Sequence, residues 1–209
     1  MPAPLEHQRP VYDSPARFKV VRAGRRWGKT VLAFTSAIAG HGPIHADGDP
    51  MYAGVAQGGD VVWIARDYPQ AGIVWREEIA PRFRDIPGVA LNNADHDVRL
   101  PSGNLLIRSA ENIKSIRGSG KQLRGVVIEE AAWLDLGAAL RDVVLPALLD
   151  NDGWLLLIST TNGGLDGNAE HLIPSYFNGL CQEIRSGDRS VVWAEFHGTA
   201  RDNPVIGPQ

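Results

Sequence analysis

Residues Val20-Val21-Arg22-Ala23-Gly24-Arg25-Arg26-Trp27-Gly28-Lys29-Thr30 constrain this chain more than any other stretch. An apolar run enters a glycine-bearing turn, and Gly28-Lys29-Thr30 opens a helix. A strand, a turn of free backbone N–H groups and a helix N-terminus make an anion cradle. With lysine and threonine at these positions the pattern is a phosphate-binding P-loop. The lysine reaches the β- and γ-phosphates, and the threonine hydroxyl coordinates Mg2+. Ala23 stands where G-x-x-x-x-G-K-[ST] has its first glycine. Alanine disfavours positive φ, and Gly24 beside it supplies that freedom. A chance match of turn and helix start is the competing reading, and the flanks weigh against it. Phe18–Val21 is β-prone, as a strand buried on both faces is. Val31–Ala39 reads as a buried helix stopped by Gly40.

A P-loop needs an acidic partner at the end of a neighbouring strand, and Gly125-Val126-Val127-Ile128-Glu129-Glu130 supplies one. Ligands of open α/β sheets bind at that carboxyl edge. Glu129 is placed to hold Mg2+, directly or through water. Glu130 is placed to orient and activate an attacking water. Adjacent carboxylates at a buried strand end repel each other, so a cation is expected beside them. A solvated acidic helix start is the alternative for this pair. A third apolar run ends in Ser159-Thr160-Thr161. Those hydroxyls either hydrogen-bond a γ-phosphate or are ordinary turn residues. Ser115–Arg124 is a basic, glycine-bearing loop. Arg117 on it is a candidate for stabilising charge on a transferring phosphoryl group, and contact with DNA phosphates is the other reading. Arg25 and Arg26 lie inside the P-loop and can reach the same phosphate in cis. Trp27 is expected to shield the nucleotide.

The rest of the sequence bounds this reading. The chain has 209 residues, enough for one α/β domain, and a net charge of −3, so any contact with nucleic acid is local. Cys181 is the single cysteine, which excludes an internal disulfide and a cysteine metal cluster. It is expected to be buried. His41 and His45 sit in a Gly/Pro-bearing loop and do not suggest a metal site. The first eight residues lack the apolar core of a signal peptide, and no apolar run is long enough to span a bilayer.

Strands are expected over Phe18–Val21, Val61–Ala65, Asn104–Ser109, Gly125–Glu129, Trp154–Thr160 and Ser190–Phe196. Helices are expected over Lys29–Ala39, Tyr68–Arg84, Leu136–Leu149 and Ala169–Leu180. Pro101–Asn104 is a hairpin turn from Asp97–Leu100 into Asn104–Ser109, and Gly40–Gly59 is read as a long surface loop. The alternation predicts an α/β fold, a mainly parallel sheet sandwiched by helices.

These motifs, in this order and over nearly the whole chain, resemble the ATPase domain of the large terminase subunit of tailed bacteriophages. The resemblance implies a P-loop NTPase of the ASCE, RecA-like type with ATP and Mg2+ as ligands. Leu5-Glu6-His7-Gln8 is similar to the family's glutamine motif, which gives Gln8 a contact to adenine. Ala23–Thr30 resembles its arginine-containing Walker A, with Arg25 acting in cis. Ser115-Ile116-Arg117-Gly118 looks like the loop whose arginine serves a neighbouring subunit's ATP. Val127–Ala132 looks like Walker B plus a catalytic glutamate, with Glu129 in place of the more frequent aspartate. Ser159-Thr160-Thr161 resembles the coupling motif, and Asp202-Asn203-Pro204 the triplet closing the domain. The expected organisation is an ATPase domain over 1–201, with 202–209 beginning a linker toward an absent nuclease domain. No DNA cleavage is then expected.

By resemblance the partners are double-stranded DNA, a portal protein and a small terminase subunit. The assembly is a homo-oligomeric ring, a pentamer, in the cytoplasm of the bacterial host. Lys114, Lys121 and Arg124 are basic candidates for gripping DNA, with a solvated surface as the alternative. Two rivals remain: a helicase-type ATPase, which needs a second motor domain, and a nucleotide-binding assembly module without turnover.

Overall fold

The computed structural model describes residues 3–118, 123–160, 165–166, 173–174, 176–189 and 192–206. A 3-10 turn, Glu6–Gln8, and a single helical turn, α1 (Arg9–Tyr12), lead into β1 (Phe18–Ala23) and then α2 (Lys29–Ala39). β2 (His41–Ile44) and β3 (Pro50–Tyr52) form a small antiparallel hairpin. β4 (Asp60–Ala65) is followed by α3 (Tyr68–Ile73), a π-helical stretch Val74–Ile79, and α4 (Ala80–Phe83). β5 (Ala90–Asn92), β6 (Asp97–Arg99) and β7 (Asn104–Ser109) precede a kinked 3-10 helix, Ala110–Gly118. β8 (Leu123–Glu129) leads to α5 (Leu136–Ala139), a π-helical stretch Leu140–Val144, and α6 (Leu145–Leu149). β9 (Trp154–Ser159), β10 (Leu165–Asp166), β11 (Ile173–Pro174), α7 (Tyr176–Ser186) and β12 (Trp193–Gly198) complete the order.

The main sheet runs β12-β1-β9-β8-β4-β7-β6-β5. Every pairing from β12 to β7 is parallel, and β6 and β5 add antiparallel pairs at one edge. A parallel sheet is covered on both faces, so its strands are apolar on both. Val21, Trp63, Val127 and Ile158 pack with Leu32 and Phe34 of α2 on one face. Val20, Ile64, Val126 and Leu157 pack with Leu140, Phe177 and Leu180 on the other. The expected α/β sandwich is present.

Four local expectations change. The helices expected over Tyr68–Arg84 and Leu136–Leu149 exist, but each passes through a π-helical stretch immediately before the turn that carries Pro81 or Pro146. Proline has no N–H to give the carbonyl four residues back, so the ladder shifts register there. The helix expected over Ala169–Leu180 is overturned at its start: Ile173–Pro174 pairs with Leu165–Asp166, and the helix runs Tyr176–Ser186. Pro174 pushes residue 173 into extended backbone. Gly40–Gly59 is not an open loop, because it holds the β2–β3 hairpin and a 3-10 turn, Val55–Gln57. The last strand lies at Trp193–Gly198 instead of Ser190–Phe196.

His41 is the reason the hairpin folds inward. It is buried, packed edge-on against Trp154 and beside Tyr52. Its Nδ1 accepts from Lys19 Nζ at 2.9 Å. Lys19, on β1, is also buried and donates to Val11 O at 2.8 Å and Tyr12 O at 3.4 Å. Burial lowers its ammonium to about 7, against a small opposing pull from Asp13. Burial, reinforced by the Lys19 charge, holds His41 well below its ordinary value, so it is neutral and can accept.

From about 7 up to 10.5 the unfolded chain keeps the Lys19 proton and the folded chain does not. Unfolding then takes up a proton, and Lys19 makes stability rise with pH, by up to about 1.4 kcal/mol per unit. Lys19→Met is expected to remove this component. Urea denaturation of both proteins at steps across that window, comparing the two slopes, measures it.

Candidate nucleotide-binding site

The turn between β1 and α2 is shaped by two residues of positive φ. Gly28 stands at φ 94° before the first residue of α2, and Arg26, two residues earlier, also takes a positive φ of 64°. A Cβ on Gly28 would be strained at this φ and would lie 2.6 Å from Gln8 Nε2, so the Gln8 amide would have to move. Lys29 folds back over the turn and donates to Ala23 O at 2.9 Å and Gly24 O at 3.0 Å. Burial lowers its ammonium from the ordinary value, opposed by Glu130 and Glu129 and assisted by Arg25. Gly24 N donates to Gly198 O at 3.0 Å, which ties the loop to β12.

The acidic end lies beneath this loop. Thr30 Oγ1 donates to Glu129 Oε1 at 3.1 Å, and Trp63 Nε1 donates to Glu129 Oε2 at 3.2 Å. Glu129 is 8% exposed. Burial raises its carboxyl from the ordinary range, the two hydrogen bonds oppose that, and the charges of Glu130 and Glu78 add a little. A hydroxyl paired with a buried carboxylate of raised pKa fits a divalent cation, whose charge would return the carboxylate to its ionised form. Glu130 takes the left-handed conformation, φ 53° and ψ 40°. Its Oε2 accepts from Thr160 Oγ1 at 3.2 Å and from Ser159 Oγ at 3.4 Å. Ala132 N donates to Ser159 Oγ at 3.2 Å, so the turn after β8 and the end of β9 are joined. The repulsion expected between the two carboxylates is thus partly relieved by geometry. Glu129 faces the α2 layer, and Glu130 turns toward β9.

This fold is found in two solved structures of the ATPase domain of the large terminase of Thermus phage P74-26. The first, of an arginine-to-alanine variant, matches with a TM-score of 0.62 at 19% identity over 93% of this chain and 81% of that one. The second matches with a TM-score of 0.59 at 20% identity over 94% and 81%. The chain has the fold of a large-terminase ATPase domain. No protein-family model matches it, and no curated protein matches it.

On this terminase-like scaffold the sequence-predicted residues divide. Ala23, Gly24, Gly28, Lys29, Thr30, Glu129, Glu130, Ser159 and Thr160 converge on the carboxyl edge of the sheet around β1, β8 and β9. Arg25 and Arg26 are exposed on the loop. Trp27 is a correction. Its indole is 3% exposed and packs in the core with His7 edge-on at 5.0 Å. A Cβ on Gly198 would lie 2.2 Å from Trp27 Nε1. The ring leaves the phosphate side because burial of its large apolar area outweighs any contact with an anion. Gln8 is buried, and its amide is engaged within the chain: Oε1 accepts from Leu5 N at 3.1 Å, and Nε2 donates to Gly28 O at 3.0 Å. The backbone of Arg117 lies in the 3-10 helix Ala110–Gly118, while Thr161 and Lys121 lie outside the described residues.

The basic candidates do not form one patch. Lys114 lines a cavity with Leu134 and Asp135 past the carboxyl ends of the strands. Arg124 sits at the start of β8, bonded to Asn151 O at 3.3 Å and about 20 Å along the strand from Glu130. Cys181 is buried as expected, with its thiol pushed up to about 11 by burial. Among the described residues no group of three or more His, Cys, Asp or Glu could hold a metal, and no helix is long and apolar enough to cross a membrane. Sequence reasoning missed Trp63 and His7 as contacts of the site. Nothing in their local pattern marks either one.

Gly28→Ala is expected to weaken binding of a fluorescent ATP analogue by about tenfold or more. The left-handed position alone costs about 1–2 kcal/mol for alanine, and the contact with Gln8 adds to it. Circular dichroism should show the fold retained. Unchanged affinity would mean that this loop is not the phosphate cradle.

Proposed function

We propose that this chain hydrolyses ATP and that hydrolysis drives translocation of double-stranded DNA into a viral procapsid. The observation that carries the reading is the 3.1 Å pairing of Thr30 with Glu129 directly below the P-loop, with Glu130 next in sequence. Lys29 gives up its two carbonyl partners to bind the β- and γ-phosphates, which are stronger acceptors. Thr30 and Glu129 would hold Mg2+, whose charge would offset that of the phosphate oxygens. Glu130 accepts a proton from, and orients, the attacking water. Ser159 and Thr160 hold the Glu130 carboxylate and so link it to the end of β9. Arg25 in cis and Arg117 toward a neighbouring copy are the candidates for stabilising the charge that develops on the phosphoryl group.

The fold likeness to a large-terminase ATPase domain supports a packaging motor over other P-loop enzymes. A ring of identical copies, a pentamer with portal and small-subunit partners, extends that reading. Such a ring requires head-to-tail contacts. DNA would be held mainly through phosphates, since a packaging motor moves any sequence.

Steady-state ATP hydrolysis against protein concentration tests this, alongside Glu130→Ala and Arg117→Ala. Turnover per chain is expected to rise with concentration. Glu130→Ala should lower kcat at least about a hundredfold, and Arg117→Ala about a thousandfold if the finger acts in trans. Nucleotide binding with no hydrolysis above Glu130→Ala at any concentration would sink the motor reading in favour of an assembly module.

A further inference from the structure

The P-loop is gripped from behind by both ends of the described chain. Asn203 Nδ2 donates to Arg26 O at 2.7 Å. His7 Nε2 meets Trp27 O at 2.9 Å, which assigns the ring proton to Nε2. Gln8 Nε2 donates to Gly28 O at 3.0 Å. Three successive loop carbonyls therefore each have a side-chain donor from outside the loop. A loop whose N–H groups converge on an anion turns its carbonyls to the convex side. An unpartnered carbonyl there would rotate toward other donors and carry the adjoining N–H out of the cradle. The need is greatest at Arg26, a residue with a Cβ held at φ 64°.

Asn203 also reaches forward. Its Oδ1 accepts from Val205 N at 3.1 Å. Asp202 Oδ2 accepts from Thr199 N at 2.6 Å, closing the turn that precedes it. The backbone at Thr199 and Ala200 packs over Gly24, where a Cβ would lie 3.4 Å from Ala200 N. Residues 198–203 are thus docked along the loop at both ends, by Gly24 N on Gly198 O and by Asn203 on Arg26 O.

We propose that Asn203 is a positioning residue for nucleotide binding, aided by His7, and that it couples the occupancy of the P-loop to the segment Thr199–Ile206. The proposal rests on the nucleotide-binding reading above and adds a readout surface to it. Coupling of this kind is reciprocal: if docking of 199–206 sets the cradle, an occupied cradle must hold 199–206 more firmly.

The test compares Asn203→Asp, Asn203→Ala and the wild-type chain, with Mg-ADP as probe. Aspartate keeps the acceptor for Val205 N and loses the donor to Arg26 O. Alanine controls for its added charge. Both variants are expected to bind fluorescent ADP at least about five- to tenfold more weakly, from the hydrogen bond to Arg26 O that both lose; alanine loses the acceptor for Val205 N as well. ADP should slow hydrogen exchange of the Thr199, Ala200 and Val205 amides in the wild-type chain and not in the variants. Ile44→Ala, at a side chain 63% exposed on the β2–β3 hairpin, should leave the affinity unchanged. Variants that bind ADP as the wild type does, or wild-type exchange over 199–206 that ADP leaves unaltered, would overturn the coupling while leaving the P-loop reading intact. Failure of the wild-type chain to bind ADP would overturn both.

Discussion

On the proposed reading, a loop that turns N–H groups toward a phosphate leaves carbonyls to be satisfied elsewhere, and here side chains, most of them distant in sequence, meet them. Lys29 takes Ala23 O and Gly24 O. Asn203, His7 and Gln8 take Arg26 O, Trp27 O and Gly28 O. Trp27 anchors the loop by turning its indole into the core, where the bare backbone of Gly198 makes room for it. The partners of these loop carbonyls come from far apart in sequence. A mobile glycine turn would pay the full ordering entropy on binding, whereas a loop fixed in advance does not.

The central strands were legible because a buried parallel strand must be apolar on both faces, and β1, β4, β8 and β9 are. The P-loop and the acidic pair were legible because their chemistry needs particular residue types at a fixed spacing. Less was legible where one local pattern serves two structures. Gly40–Gly59 has the composition of a loop, yet His41 is drawn inward by Lys19, twenty-two residues earlier. Trp27 lies within the phosphate motif, and the motif does not say which way its side chain turns. The helices containing Pro81 and Pro146 kept their apolar period across the proline. Periodicity reports which face is buried and is blind to the hydrogen-bond register that the proline breaks. Trp63 reaches Glu129 from β4, because adjacent strands in register present side chains to the same face. That pairing is a fact of sheet order, which the one-dimensional pattern does not carry.

Sheet geometry also decides how two consecutive glutamates can do different work. Successive residues of a strand point to opposite faces. Glu129 meets Thr30 and Trp63 on the α2 side, while Glu130 leaves the strand in a left-handed bend toward Ser159 and Thr160. On the proposed reading the first holds a cation and the second handles a water, and each has the matching environment. The Glu129 carboxylate is buried against Thr30 and Trp63, where a cation would offset the burial that raises its pKa. Glu130 is held by two hydroxyl donors at 3.2 and 3.4 Å, longer than a strong hydroxyl–carboxylate bond of about 2.6 Å. Partners at that distance hold the carboxylate in place and yield readily to a better one. A γ-phosphate with its attacking water offers such a partner. On that reading, when Glu130 turns to it Ser159 would lose an acceptor but keep Ala132 N, so the change would reach Thr160 while the strand ends stay joined. On the proposed reading, the length of the Glu130 contacts would let one carboxylate both activate water and pass on the change.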